Sequence, residues 1–122
     1  MIRLSGATSF QWSTSEQAYP FEKDRAGNAL FCKEMYWASL ASNSTNPQAH
    51  NLSGYTVSKC FRLEGTLIQN GATNVITIPS ANPGGLQYQV HLATNTTNVF
   101  VQVGSGLDLT SAVAYVRFIY AK

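Results

Sequence analysis

The chain has 122 residues, enough for one domain around a single core and too few for two ordinary ones. Its hydrophobic fraction of 44% is that of a globular protein, while charged residues make up only 11%, well under the roughly 25% of an average soluble domain. Net charge is +2 with no cluster of Lys or Arg and no apolar run long enough to cross a bilayer, so neither nucleic-acid binding nor membrane insertion is expected.

Residues 1–28 read as an N-terminal arm with short strands, distinct from a sandwich domain over 29–122. Single aromatics (Phe10, Trp12, Tyr19, Phe21) punctuate Ser/Thr/Gln-rich sequence, and Ser9 to Thr14 is the candidate strand there. No apolar h-region follows Met1, so no secretory signal is expected. Ala26-Gly27-Asn28 reads as a turn. Leu30 to Ser39 is the first strong strand candidate. The spacing of Leu30, Lys33, Glu34 and Trp37 leaves a helix open, but Phe31, Cys32, Tyr36 and Trp37 favour sheet.

Ala41 to Gly54 is a polar loop broken by Asn43, Ser44, Thr45, Asn46 and Pro47. Val57 to Ile68 alternates, with Phe61, Leu63 and Leu67 on one face and Cys60, Arg62 and Glu64 on the other. Gly65 interrupts that run and suggests a bulge or a bend. Asn70-Gly71 signals a tight turn, Asn74 to Pro79 a short strand, and 81–85 a loop. Three runs close the chain: Gln87 to Leu92, Asn98 to Val103 and Val113 to Tyr120, separated by 93–97 and 104–111. The sum is an all-β chain, a β-sandwich or jelly roll of about 7–9 antiparallel strands.

Few residues invite chemistry. Cys32 and Cys60 are too few for a metal quartet, and buried free thiols are favoured over a disulfide. Glu34 and Glu64 lie in strong strands and could form a paired-carboxylate site, but an ion pair with a basic neighbour is the favoured reading. His50 reads as a loop-packing residue, and His91 as a polar-face residue beside Gln87 and Gln89. Gly104-Ser105-Gly106 opens no helix and is no phosphate loop. Neither a catalytic residue, a metal ligand nor a cofactor is expected. Trp12, Trp37 and the tyrosines could line a sugar-binding groove by stacking on sugar rings, but for each ring singly core packing or a subunit interface is the favoured reading.

Residues from about Phe21 to Lys122 resemble the C-terminal tip domain of bacteriophage tail fibres and receptor-binding proteins. The stretch Gly27-Asn28-Ala29-Leu30-Phe31-Cys32-Lys33-Glu34 is similar to that family's opening pattern. Gln48-Ala49-His50-Asn51-Leu52-Ser53-Gly54 resembles its His-Gly-Ile-like turn, with Asn51 where Gly is usual. Phe61-Arg62-Leu63-Glu64-Gly65 resembles a strand ending in Gly. Tyr115 to Lys122 resembles a terminal strand ending in Tyr-Thr-Lys, with Ala121 in place of Thr. The resemblance implies a non-enzymatic virion protein, trimeric, attached to other virion proteins and binding a host-surface glycan. A carbohydrate-binding module, an adhesin or a capsid-decorating head-fibre protein of similar fold is the alternative.

Two expectations complete the reading. Saccharide should bind through polar loops, with 41–54 and 71–85 ranked first. A homo-oligomer, with a trimer favoured, is expected from the last strand: Val113, Tyr115, Arg117 and Ile119 share one face, yet the opposite face is also apolar. Phe100 likewise sits on an otherwise polar face. These five residues are the candidate interface. Burial of Arg117 there would require an acidic partner, Glu34 or Glu64.

Overall fold

The computed structural model describes residues 12–69, 74–78, 89–107, 109 and 111–122, without the side chains of 74, 75 and 77. Among them are eight strands: β1 (Gln17–Lys23), β2 (Ala29–Trp37), β3 (Pro47–Ala49), β4 (Cys60–Gln69), β5 (Asn74–Ile78), β6 (Val90–Thr94), β7 (Asn98–Val103) and β8 (Val113–Ala121). One sheet has the order β1-β2-β8-β4-β5 and the other β3-β7-β6, with every pairing antiparallel. The chain is a β-sandwich. A single 3-10 turn, Val57–Lys59, is its only helical element among the described residues.

The core lies between the two sheets. Alternation along β8 sends Ala114, Val116, Phe118 and Tyr120 inward, where they meet Met35 and Trp37 of β2, Leu67 of β4 and Val99, Val101 and Val103 of β7. Phe118, Leu67, Val99 and Val101 are wholly buried. Each such side chain contributes roughly 1.5–3 kcal/mol relative to exposure. The Trp37 indole N–H donates to the Asn46 carbonyl at 2.9 Å, so Trp37 is core rather than groove.

Several expectations change. Of the strand expected at Ser9 to Thr14, 9–11 lie outside the described residues, and Trp12 to Thr14 are not strand but precede β1. β1 pairs along β2 as an edge strand, which is why it tolerates Pro20. The Ala26-Gly27-Asn28 turn forms as expected. Asp24 organises it, its carboxylate accepting from the Ala26 and Asn28 amides at 3.0 and 2.8 Å, and Gly27 supplies φ +82°. The loop 41–54 contains the short edge strand β3. Ala93 and Thr94, expected as turn, belong to β6, and the turn begins at Asn95, whose side-chain oxygen accepts from the Thr97 and Asn98 amides. The Asn70-Gly71 turn, Gln87 and most of 71–85 lie outside the described residues.

The bulge falls at Phe61, not Gly65. Between Cys60 and Arg62 the β4–β8 register shifts by one residue, while Gly65 pairs regularly with Val116. The extra residue turns Cys60 toward the core and leaves Phe61 exposed, the reverse of strict alternation. Gly65 has a different reason. A Cβ there would lie 2.6 Å from the Tyr115 carbonyl oxygen, so glycine permits close approach of β4 to β8.

Candidate functional site

Two concave surfaces stand out, one on the outer face of β2, β8 and β4 and one on the inner side of β2 and β8. The first lies on the outer face. Cross-strand register sets Tyr36 beside Tyr115 and Tyr115 beside Thr66, and in the next row Glu34 beside Arg117 and Arg117 beside Glu64. The segment leading into β1 is tied to this face, because the Glu34 amide donates to the Ser13 carbonyl at 3.0 Å. That tether brings Trp12 over Tyr115, edge to face with centroids 5.5 Å apart; Tyr36 and Tyr115 are 5.0 Å apart. The result is a groove of about 340 Å³ lined by Trp12, Glu34, Glu64, Gly65, Thr66, Tyr115 and Arg117.

The rings are partly solvent-exposed, Trp12 at 46% and Tyr36 and Tyr115 each at 39%. The charges between them are ordered. Arg117 reaches Glu34 Oε2 at 3.3 Å and Glu64 Oε1 at 3.9 Å, so both anticipated partners flank it. Both carboxylates thus pair with a guanidinium, the ion pair expected of them. Glu34 is only 3% exposed, and its other oxygen, Oε1, has no hydrogen-bond partner among the described residues. A buried, unsatisfied carboxylate oxygen is costly, and a ligand donor would relieve that cost.

The second surface is a cavity of about 470 Å³ between the segment Asn51–Tyr55, Lys33 in the middle of β2 and the end of β8. Lys33, Lys59, Lys122, Glu16 and Tyr120 contribute to its wall. Its roof is set by His50, which is buried rather than on the surface. The His50 ring accepts the Leu52 amide at Nδ1 (3.1 Å) and meets the Asn95 carbonyl through Nε2 (3.1 Å), which assigns the Nε2–H tautomer. The ring packs on Tyr55 and Phe118, with centroids 4.8 and 5.8 Å away. Glu16 accepts from the Tyr120 hydroxyl and pairs with Lys122. Burial raises the Glu16 pKa, but the hydrogen bonds from Lys122 and Tyr120 and the charges of Lys122 and Lys33 outweigh it and hold the carboxyl below its usual value.

Other anticipated residues fall as follows. Of the candidate interface, Tyr115 is exposed and Phe100, Val113 and Arg117 are half-buried. Ile119 is wholly buried within the chain, packed with Leu30, Cys32 and Ala121 beneath Tyr19 of β1. That position is therefore sealed by the arm and not available to a subunit. Cys32 and Cys60 are free thiols on opposite faces of the sheet. Burial pushes the Cys32 thiol up to about 12 and raises that of Cys60. His91 is exposed and hydrogen-bonded to Gln89. From the loop 41–54, Asn51 to Gly54 line the cavity. The outer groove takes nothing from that loop; the sequence marked Trp12 and the tyrosines singly, and only sheet register reveals which of them converge. Compared with models of known protein families, with curated proteins and with solved structures, the chain matches none.

Proposed function

We propose that this chain is a non-enzymatic attachment domain that binds saccharide in the outer groove over β2, β8 and β4. One observation carries the reading: two accessible rings, Trp12 and Tyr115, with Tyr36 packed beside Tyr115, share a groove with Glu34, whose buried Oε1 is unsatisfied. Aromatic faces suit the apolar faces of sugar rings, and a carboxylate oxygen accepts from a sugar hydroxyl. Glu64 and Thr66 add acceptors and donors along the same wall. The setting at the tip of a phage fibre, facing a host-surface glycan, rests on the resemblance of Phe21 to Lys122 alone; the homotrimer rests on that resemblance and on the two apolar faces of β8. A carbohydrate-binding module or adhesin would use the same groove. This reading gives Tyr115 and Arg117 to ligand rather than to subunit contact.

The test is a glycan array followed by titration calorimetry on the best neutral oligosaccharide. Tyr115→Ala removes one ring and should weaken binding about tenfold, in line with roughly 1–1.5 kcal/mol for an aromatic contact. Glu34→Gln should weaken it further while the fold, read by circular dichroism, is kept. Wild-type affinity in Tyr115→Ala would remove the groove as the site. Light scattering after size exclusion reads the oligomer, and a monomer at micromolar concentration would exclude the trimer.

A further inference from the structure

The cavity carries a charge pattern unlike that of the groove. Lys33 projects from the inner face of β2, where its neighbours at the same parity, Phe31, Met35 and Trp37, pack into or against the core. An ammonium on such a face needs a reason. Its Nζ donates to the His50 carbonyl at 2.6 Å, and Lys59 Nζ donates to the Gly54 carbonyl at 3.0 Å. Neither lysine forms an ion pair among the described residues. Glu16 pairs directly with Lys122 and also faces the charge of Lys33. The wall thus holds three cations against one anion.

The carbonyls that hold Lys33 and Lys59 fix the amines without neutralising them. Each ammonium has three N–H donors, and one is used. Both carbonyls bracket one short segment, 50–54, in which Asn51 and Gly54 take the left-handed conformation at φ +56° and +71°. The His50 ring locks that segment through its two hydrogen bonds. Cavity, roof and lysines are therefore one preorganised unit, and its volume is within the roughly 300–1,000 Å³ of ordinary small-ligand sites. A concave site with an excess of cations over anions concentrates small anions.

We propose that this cavity binds the oxyanion group, carboxylate or phosphate, of an acidic saccharide through Lys33 and Lys59. Asn51 and Ser53 are exposed at its rim, where they supply hydrogen-bonding groups for hydroxyls. Binding is electrostatic in origin and weakens with salt, because the lysines are only partly shielded from solvent. The cavity and the groove lie on opposite faces of β2 and β8, so either can fail without the other.

The experiment is an amide chemical-shift titration of the ¹⁵N-labelled chain at low salt. The probes are glucuronate, glucose 6-phosphate, inorganic phosphate and neutral glucose. Glucuronate or glucose 6-phosphate, or both, should shift the amides of 51–55 and 122, and which one does so names the source of the oxyanion. Lys59→Gln, at a partly exposed site that folding tolerates, should weaken that binding about threefold to tenfold; Lys33→Gln should abolish it if the variant folds. Raising salt tenfold should weaken it several-fold. Absence of shifts at 51–55 with both acidic sugars would overturn the proposal. So would equal shifts with neutral glucose, inorganic phosphate binding as tightly as either sugar, or unchanged affinity in Lys59→Gln.

Discussion

Gly65 is the most sensitive single position for a small change. Adding one methyl places Cβ 2.6 Å from the Tyr115 carbonyl oxygen and 3.2 Å from Val116 Cγ2. A carbon–oxygen contact ordinarily sits near 3.3–3.6 Å, so β4 and β8 must part by about 0.7 Å. Both are central strands of the five-stranded sheet and are paired on both sides, so neither can move alone. Overpacking of this kind costs about 1–3 kcal/mol, and the upper end applies where backbone meets backbone. Against it, Gly→Ala recovers about 0.4–1 kcal/mol by restricting the unfolded chain. The net loss is about 2 kcal/mol, which for a chain of this size lowers Tm by about 8 °C. Thermal and urea unfolding of Gly65→Ala followed by circular dichroism measures it. An unchanged or raised Tm would mean that Gly65 is not a close-approach glycine and that the β4–β8 register described above is wrong.

Three further outcomes are expected. His50→Ala removes a buried ring, its contacts with Tyr55 and Phe118, and two hydrogen bonds; it should cost about 2–4 kcal/mol in urea unfolding and speed proteolysis near 50–55, and a loss under 1 kcal/mol would contradict the packing. The Cys32 thiol is neutral in the fold until about 12 against an ordinary 9.0, and burial likewise lifts Tyr55 from 10.0 to about 12. Both folded values are raised, so their contribution is intact below pH 9 and is lost as pH climbs from 9 toward 12, with Cys32 unreactive to a thiol reagent at pH 8 until the chain unfolds. Glu16 is shifted the other way, so its contribution is present above about pH 4.5 and lost as acid protonates it; Glu16→Gln should flatten stability against pH below that point, and an unaltered acid limb would exclude the Lys122–Tyr120 contacts as its cause.

Much of the sandwich was legible because its strands carry local signals. β7 and β8 are rich in Val, Ile, Tyr and Phe, Ala26-Gly27-Asn28 announces its turn, and the pairing of Arg117 with Glu34 and Glu64 follows from the cost of a buried charge. What stayed hidden depends on contacts between distant segments. β1 has no strand-like run, since Pro20, Glu22 and Lys23 suit only an edge that leans on β2. The one-residue slip at Phe61 reverses two side chains without altering the composition of β4. The apolar second face of β8 was read as a subunit contact, whereas at Ile119 the arm supplies the cover through Tyr19. Convergence of Trp12, Tyr36 and Tyr115 needs three segments that share no sequence spacing. Lys33 had no signal beyond being a lysine at an inward parity.

The place of β8 has a consequence for how the chain is made. Of the five strands in its sheet it is the last to be synthesised, yet it sits in the middle, between β2 and β4. Until residues 113–121 leave the ribosome, the β1–β2 and β4–β5 hairpins each present an unpaired inner edge with nothing to join them. Such edges are templates for mispairing with other nascent chains. The contacts that close the sheet span most of the chain, from Leu30 to Ala121, which places this fold among slow folders dominated by non-local pairing. Loss of β8 would therefore leave two hairpins rather than one five-stranded sheet.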